Sequence, residues 1–116
     1  MQNDHRRTVI FETQQWLFEK FPACFKKDFS LPLKVGILKD IFEGLSEEDG
    51  MSRLRIRKAI QAYTNHPWYQ RALTAKKDRV DLEGKTVEPV EEEHKVAAEK
   101  NLAYRKLRTF ANQQQR

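Results

Sequence analysis

Residues 52–69 read SRLRIRKAIQAYTNHPWY, and this stretch points to a mainly helical chain. Ser52 stands where a helix N-cap is expected, because its hydroxyl can accept from a free backbone N–H two or three residues on. Ile56, Ala59, Ile60 and Tyr63 then recur at three- and four-residue spacing, so they share the inward face of a helix predicted over 53–64. Arg53 and Arg57, four apart, share a different, outward face. Asn65, His66 and Pro67 restart the chain, and Pro67 suits the first position of a short helix over 67–74.

Toward the N-terminus, Val9, Ile10, Thr13, Leu17 and Phe21 fall near one face of a helix over 8–21, capped by Thr8 and stopped by Pro22. Phe25 and Phe29 punctuate a short loop that contains Lys26 and Lys27, and both rings are expected to fill the core beneath it. Pro32 precedes a helix over 33–45 with the stripe Ile37, Leu38, Ile41, Phe42 and Leu45, and residues 46–50 form a surface turn. Toward the C-terminus, Arg79–Leu82 and Lys85–Val87 alternate around a two-residue Glu83-Gly84 loop and predict a β-hairpin. Pro89 opens a last helix over 89–112. Its acids Glu91, Glu92 and Glu93 lie in the first turn and its bases Arg105, Lys106 and Arg108 near the end, which complements the helix macrodipole. The organisation expected is a flexible segment 1–7, one domain over 8–112 and a frayed tail 113–116.

A chain of 116 residues makes one domain and buries enough surface for a single core. Its longest apolar run is three residues, as in Val9-Ile10-Phe11. That is too short for a membrane span or a signal-peptide core, so a soluble, cytoplasmic protein is expected. The single cysteine, Cys24, makes no internal disulfide and reads as a small core residue. His5, His66 and His94 lack metal-ligand spacing, and Glu93-His94 reads as solvated helix surface. There is no glycine-rich phosphate loop, nucleophile elbow or paired-carboxylate motif. These observations predict no catalytic residue, no metal, no cofactor and no small-molecule substrate.

Charge is segregated along the chain. Residues 51–80 carry 8 basic groups and 1 acidic, whereas residues 81–99 carry 2 basic and 7 acidic. A dense basic middle suits a polyanionic partner, since clustered Lys and Arg release counterions on binding phosphate. Arg53 and Arg57 at the start of a helix oppose its macrodipole. An anion docked there would relieve that cost, because free N–H groups and guanidinia converge on it. Trp68 and Tyr69 are adjacent and cannot both face the core of a short helix. One ring is therefore at the surface, where it can stack on or hydrogen-bond a nucleotide.

The blocks Phe21-Pro22-Ala23-Cys24-Phe25 and Pro32-Leu33-Lys34-Val35-Gly36-Ile37 resemble the opening signature of the ProQ/FinO-domain RNA chaperones of bacteria. Ser52-Arg53, Arg57-Lys58-Ala59, Tyr63-Thr64, Tyr69, Arg79–Gly84 and Glu91–His94 continue the likeness, over about residues 8–108. The resemblance implies a compact FinO-type fold of about five helices with one small β-hairpin. It implies binding of structured RNA, such as small RNAs and mRNA 3′ regions that end in a terminator hairpin and uridine tail. By motif, Lys34, Ser52, Arg53, Arg57, Lys58, Tyr69 and Arg79 are the expected RNA-binding residues, with Tyr69 the exposed ring of the site and Tyr63 a core residue. The sequence departs from the family pattern at Leu31, at Pro67-Trp68 and at Gln61, each of which removes a basic group. It reads as a minimal, monomeric member. The alternative is a protein-interaction adaptor that docks through Leu102, Tyr104, Leu107 and Phe110 of the last helix.

Overall fold

The computed structural model describes residues 2–75 and 78–114. Among these described residues, five α-helices and one hairpin follow in the order α1 (Gln2–Lys20), α2 (Ile37–Glu43), α3 (Arg53–Asn65), α4 (Pro67–Thr74), β1 (Asp78–Val80), β2 (Thr86–Pro89) and α5 (Glu92–Gln114). The mainly helical fold with one hairpin matches the expected class. α3 and α4 lie within a residue of their predicted bounds.

The starts of three helices differ. α1 begins at Gln2, six residues before Thr8. No Pro or Gly interrupts residues 2–8, and His5, Arg6, Val9 and Ile10 face α3 across a shared groove. The first two turns thus continue the helix rather than precede it. Met1 of the expected N-terminal segment, and Gln115 and Arg116 of the expected tail, lie outside the described residues. Second, residues 31–36 are not helical. Leu33 bridges Val80 as a parallel neighbour, with Val80 N–H donating to Pro32 O at 2.9 Å and Lys34 N–H to Val80 O at 2.8 Å. Gly36, at φ +88°, then turns the chain into α2. Third, Pro89 ends β2 opposite Asp78 and does not open α5. A proline tolerates this strand end because its missing N–H interrupts no inner ladder.

The hairpin turn spans Asp81–Lys85 and is wider than a two-residue loop. The Asp81 carboxylate accepts from Glu83 N–H at 2.9 Å and Lys85 N–H at 3.0 Å, the side-chain mimicry that favours Asp in turns. Gly84, at φ +83°, passes so close to the loop after α1 that a Cβ would lie 2.8 Å from Ala23 O.

The core is built mainly from Leu17, Phe25, Leu33, Ile41, Ile56, Ala59, Val80 and Ala98, with Cys24 sealed among them. α1 crosses α3 through polar as well as apolar contacts. Thr13 is fully buried, donates to Val9 O and accepts from Arg55 Nε at 3.1 Å, and Gln14 donates to Ala59 O at 3.1 Å. A chain of rings runs Phe25–Tyr63–Tyr69, with centroids 5.4 and 5.8 Å apart. Such edge-on and tilted pairs add about 0.5–1.5 kcal/mol each beyond area burial.

Candidate nucleic-acid interface

α3 starts as its sequence dictates: Ser52 Oγ accepts from Arg55 N–H at 3.1 Å. The first turn holds no acidic residue to offset the helix dipole. Arg53 and Arg57 project from that turn and the next, and both guanidinia lie over the ring of Phe42 in α2. Their central carbons are 5.4 and 5.9 Å from its centroid, within cation–π range. Among the described residues, neither forms an ion pair with a carboxylate. Two cations that repel each other are thus held side by side at the positive end of a helix. An incoming anion is favoured by both and by the free N–H groups beneath them.

A second cluster forms around Leu33. Leu33 N–H donates to the Tyr69 hydroxyl at 3.0 Å, and Arg79 donates to Leu33 O at 2.8 Å. The other terminal nitrogen of Arg79 lies 2.8 Å from His94 Nδ1. Since the guanidinium only donates, that nitrogen accepts. Arg79 Nε is buried with no partner among the described residues. A groove of about 370 Å³ lined by Tyr69, Arg79, His94 and Asn101, among others, opens beside this cluster. Lys34 follows directly, half-buried, with Nζ 2.7 Å from Asp40 Oδ2. That hydrogen bond raises the ammonium above its ordinary pKa, so Lys34 keeps its charge. α2 borders both clusters, because Asp40 holds Lys34 while Phe42 carries the two arginines.

The structure therefore brings Ser52, Arg53 and Arg57 together, and Lys34, Tyr69 and Arg79 together. Lys58 stands apart. It lines the groove between α1 and α3 with Arg6 and Arg55, since a residue one position after Arg57 points about 100° away around a helix. The expectation that Tyr69 is the exposed ring is wrong. Tyr69 is 5% exposed, as buried as Tyr63 at 8%, and it is Trp68 that faces solvent at 49%. The signal was present in the sequence: Tyr69, Ala72 and Leu73 follow i, i+3, i+4 and form the buried face of α4. Burial pushes the Tyr69 hydroxyl above its ordinary pKa, with Leu33 and Arg79 opposing. Arg79 is also buried, at 7% exposure, which its charge gave no reason to expect. Sequence reasoning missed the ring of Phe42 under the two arginines, having read it as one more residue of a core stripe; His94 is exposed as read, and its contact with Arg79 was not foreseen.

Among the described residues, no three His, Cys, Asp or Glu side chains group as a metal site would require. No helix among them is long and apolar enough to cross a membrane.

Comparison with known proteins agrees with this fold. The sequence profile of the ProQ/FINO family matches residues 9–115. The RNA chaperone ProQ of Aeromonas salmonicida is 37% identical over 113 residues, which cover 97% of this chain and 54% of the relative. That of Idiomarina loihiensis is 38% identical over 103 residues, covering 88% and 50%. The chain thus spans about half the length of the curated relatives it matches. Among solved structures, a ProQ homolog from Legionella pneumophila superposes with a TM-score of 0.65 at 30% identity, covering 79% of each chain. A FinO-like RNA chaperone from Neisseria meningitidis superposes with a TM-score of 0.66 at 22% identity, covering 79% of this chain and 77% of that one. With the capped, arginine-bearing start of α3 and the Leu33 cluster beside it, these matches show that the chain belongs to the ProQ/FINO family.

Proposed function

We propose that this chain binds structured RNA and acts as a non-enzymatic RNA chaperone in the cytoplasm, working as a monomer. The observation that carries the reading is the pair Arg53 and Arg57 stacked on Phe42 at the uncompensated N-terminus of α3. Membership of a family whose relatives are named RNA chaperones supports it. The pair clamps phosphates, and Ser52 keeps the helix start in register. Lys34 adds a third cation from the neighbouring cluster. Tyr69 and Arg79 brace the Pro32–Lys34 segment and reach RNA through the groove they share with His94. Lys58 extends the basic field on the adjoining face. The preferred RNA is a terminator hairpin with a 3′ uridine tail: an A-form stem is recognised by shape, and its single-stranded end can be gripped.

Titration of a terminator hairpin against the parent and Arg57→Ala tests this reading. A charge-assisted hydrogen bond contributes about 1.5–3 kcal/mol, so the variant should bind about tenfold more weakly or worse while melting like the parent. Removing the uridine tail should weaken binding to the parent. The log–log salt slope should be about −3 to −5 for about four to six phosphates contacted. Unchanged affinity in a folded Arg57→Ala removes this face from the site, and equal affinity for both hairpins removes the tail preference.

A further inference from the structure

On another part of the surface, two grooves meet at Arg71 of α4. One, of about 330 Å³, is lined by Phe29, Trp68 and Arg71, with Asp28 its acid. The other, of about 560 Å³, runs between α4 and the C-terminal part of α5 and is lined by Arg71, Arg105, Lys106 and Phe110. Neither shares a lining residue with the groove at Arg53 and Phe42. Three rings are open to solvent here: Phe29, expected in the core but 49% exposed, Trp68 at 49% and Phe110 at 60%. Trp68 is braced edge-on by His66, with ring centroids 5.1 Å apart. Arg105 is held in place by Asn101 and by the carbonyl of Asn65. Among the described residues, neither Arg71 nor Lys106 forms an ion pair with a carboxylate.

We propose that this α4–α5 surface is a second RNA site, one that takes a single-stranded segment while the α3 face holds a structured RNA. The inference rests on the RNA-binding reading above and adds a second place and a different RNA form. Exposed rings interleaved with unneutralised cations match a strand of unpaired bases, which offers π faces to stack and phosphates to pair. A duplex would keep its bases stacked on one another and offer the rings no free base faces. A purely apolar helix would strand Arg71 and Lys106 beneath it. The positive rim complements a polyanion and repels a second copy of the same surface.

Trp68 serves as its own reporter. Oligouridine is titrated into the protein already saturated with hairpin RNA, and tryptophan emission is followed. Trp16, half-buried and edge-on to Phe21, provides a constant background. The parent should show quenching, Trp68→Phe should abolish it, and Arg71→Ala should shift its midpoint by about tenfold through loss of one charged contact. Three results overturn the proposal: no quenching by oligouridine, an unshifted midpoint in Arg71→Ala, or a tighter response to polyglutamate or to anionic phosphatidylserine vesicles than to oligouridine. Hairpin binding that depends on Arg57 without any oligouridine response overturns the second site alone. A parent protein that binds no hairpin overturns the RNA-binding reading and this inference with it.

Discussion

Leu33 contributes only an apolar side chain, yet both of its main-chain polar groups are claimed by residues the family resemblance marks as functional. Tyr69 accepts its N–H and Arg79 donates to its carbonyl. In a buried setting, removing one partner costs the desolvation of the other, about 1–3 kcal/mol. Tyr69→Phe, which keeps the ring and deletes only the hydroxyl, should therefore lower stability by that amount. The expected fall in Tm is several degrees, at about 4 °C per kcal/mol for a domain of this size. Tyr69→Ala also empties a core position and should cost about 3–5 kcal/mol, as should Tyr63→Ala. Circular-dichroism melts of the three variants check this. A Tyr69→Phe protein that melts like the parent would show that Leu33 N–H finds another partner. RNA affinity in these variants has to be read on protein shown to be folded, since both tyrosines are core residues.

At the scale of elements, the hairpin depends on a backbone contact. Gly84 and Gly50 both have positive φ, +83° and +65°, so alanine is strained at either by about 1–2 kcal/mol. They differ in surroundings. A Cβ at Gly50 meets nothing within 4 Å, whereas one at Gly84 meets Ala23 O at 2.8 Å and Ala23 Cβ at 2.9 Å. Gly84→Ala should therefore lose clearly more stability than Gly50→Ala in urea unfolding, because the hairpin turn must also lift off the loop after α1. Equal losses would mean that the turn gives way without cost. The same comparison separates two kinds of legibility. The positions of α3 and α4 follow from spacing and caps within a few residues of one another. The 33–36 segment looked helical beside its stripe, yet Pro32 and Gly36 flank an extended stretch completed by Val80 from a remote strand.

Across the whole molecule, Cys24, Tyr63 and Tyr69 belong to one core, and burial raises all three above their ordinary pKa values. The Cys24 thiol is pushed up to about 12 from 9.0, and the tyrosine hydroxyls are raised above 10.0. Each group holds its proton more tightly folded than unfolded. The stability this provides is complete below the unfolded value and is lost as pH rises toward the folded one. Unfolding free energy from urea titrations should therefore be flat near neutral pH and fall from pH 9.0 upward, through the range in which unfolded thiols and phenols ionise. The folded protein should also resist thiol alkylation that the urea-unfolded chain undergoes readily. A stability curve flat above pH 9.0 would contradict the burial of these groups.

Helical class, the capped start of α3, its outward arginines and the existence of a hairpin were all legible in the order of residues. Each depends on neighbours three or four positions apart, or on a turn residue acting on its own backbone, and such geometry is the same in any fold. The organisation of the interface was not legible. Tyr69 meets Leu33 across 36 residues, Arg79 meets it across 46, and Arg53 reaches Phe42 from another helix. No local rule distinguishes Arg79, buried at the edge of a groove, from Arg57, open to solvent. That difference arises when the hairpin closes over the Pro32–Lys34 segment and α5 packs against α4, because burial and electrostatic environment belong to the packed chain.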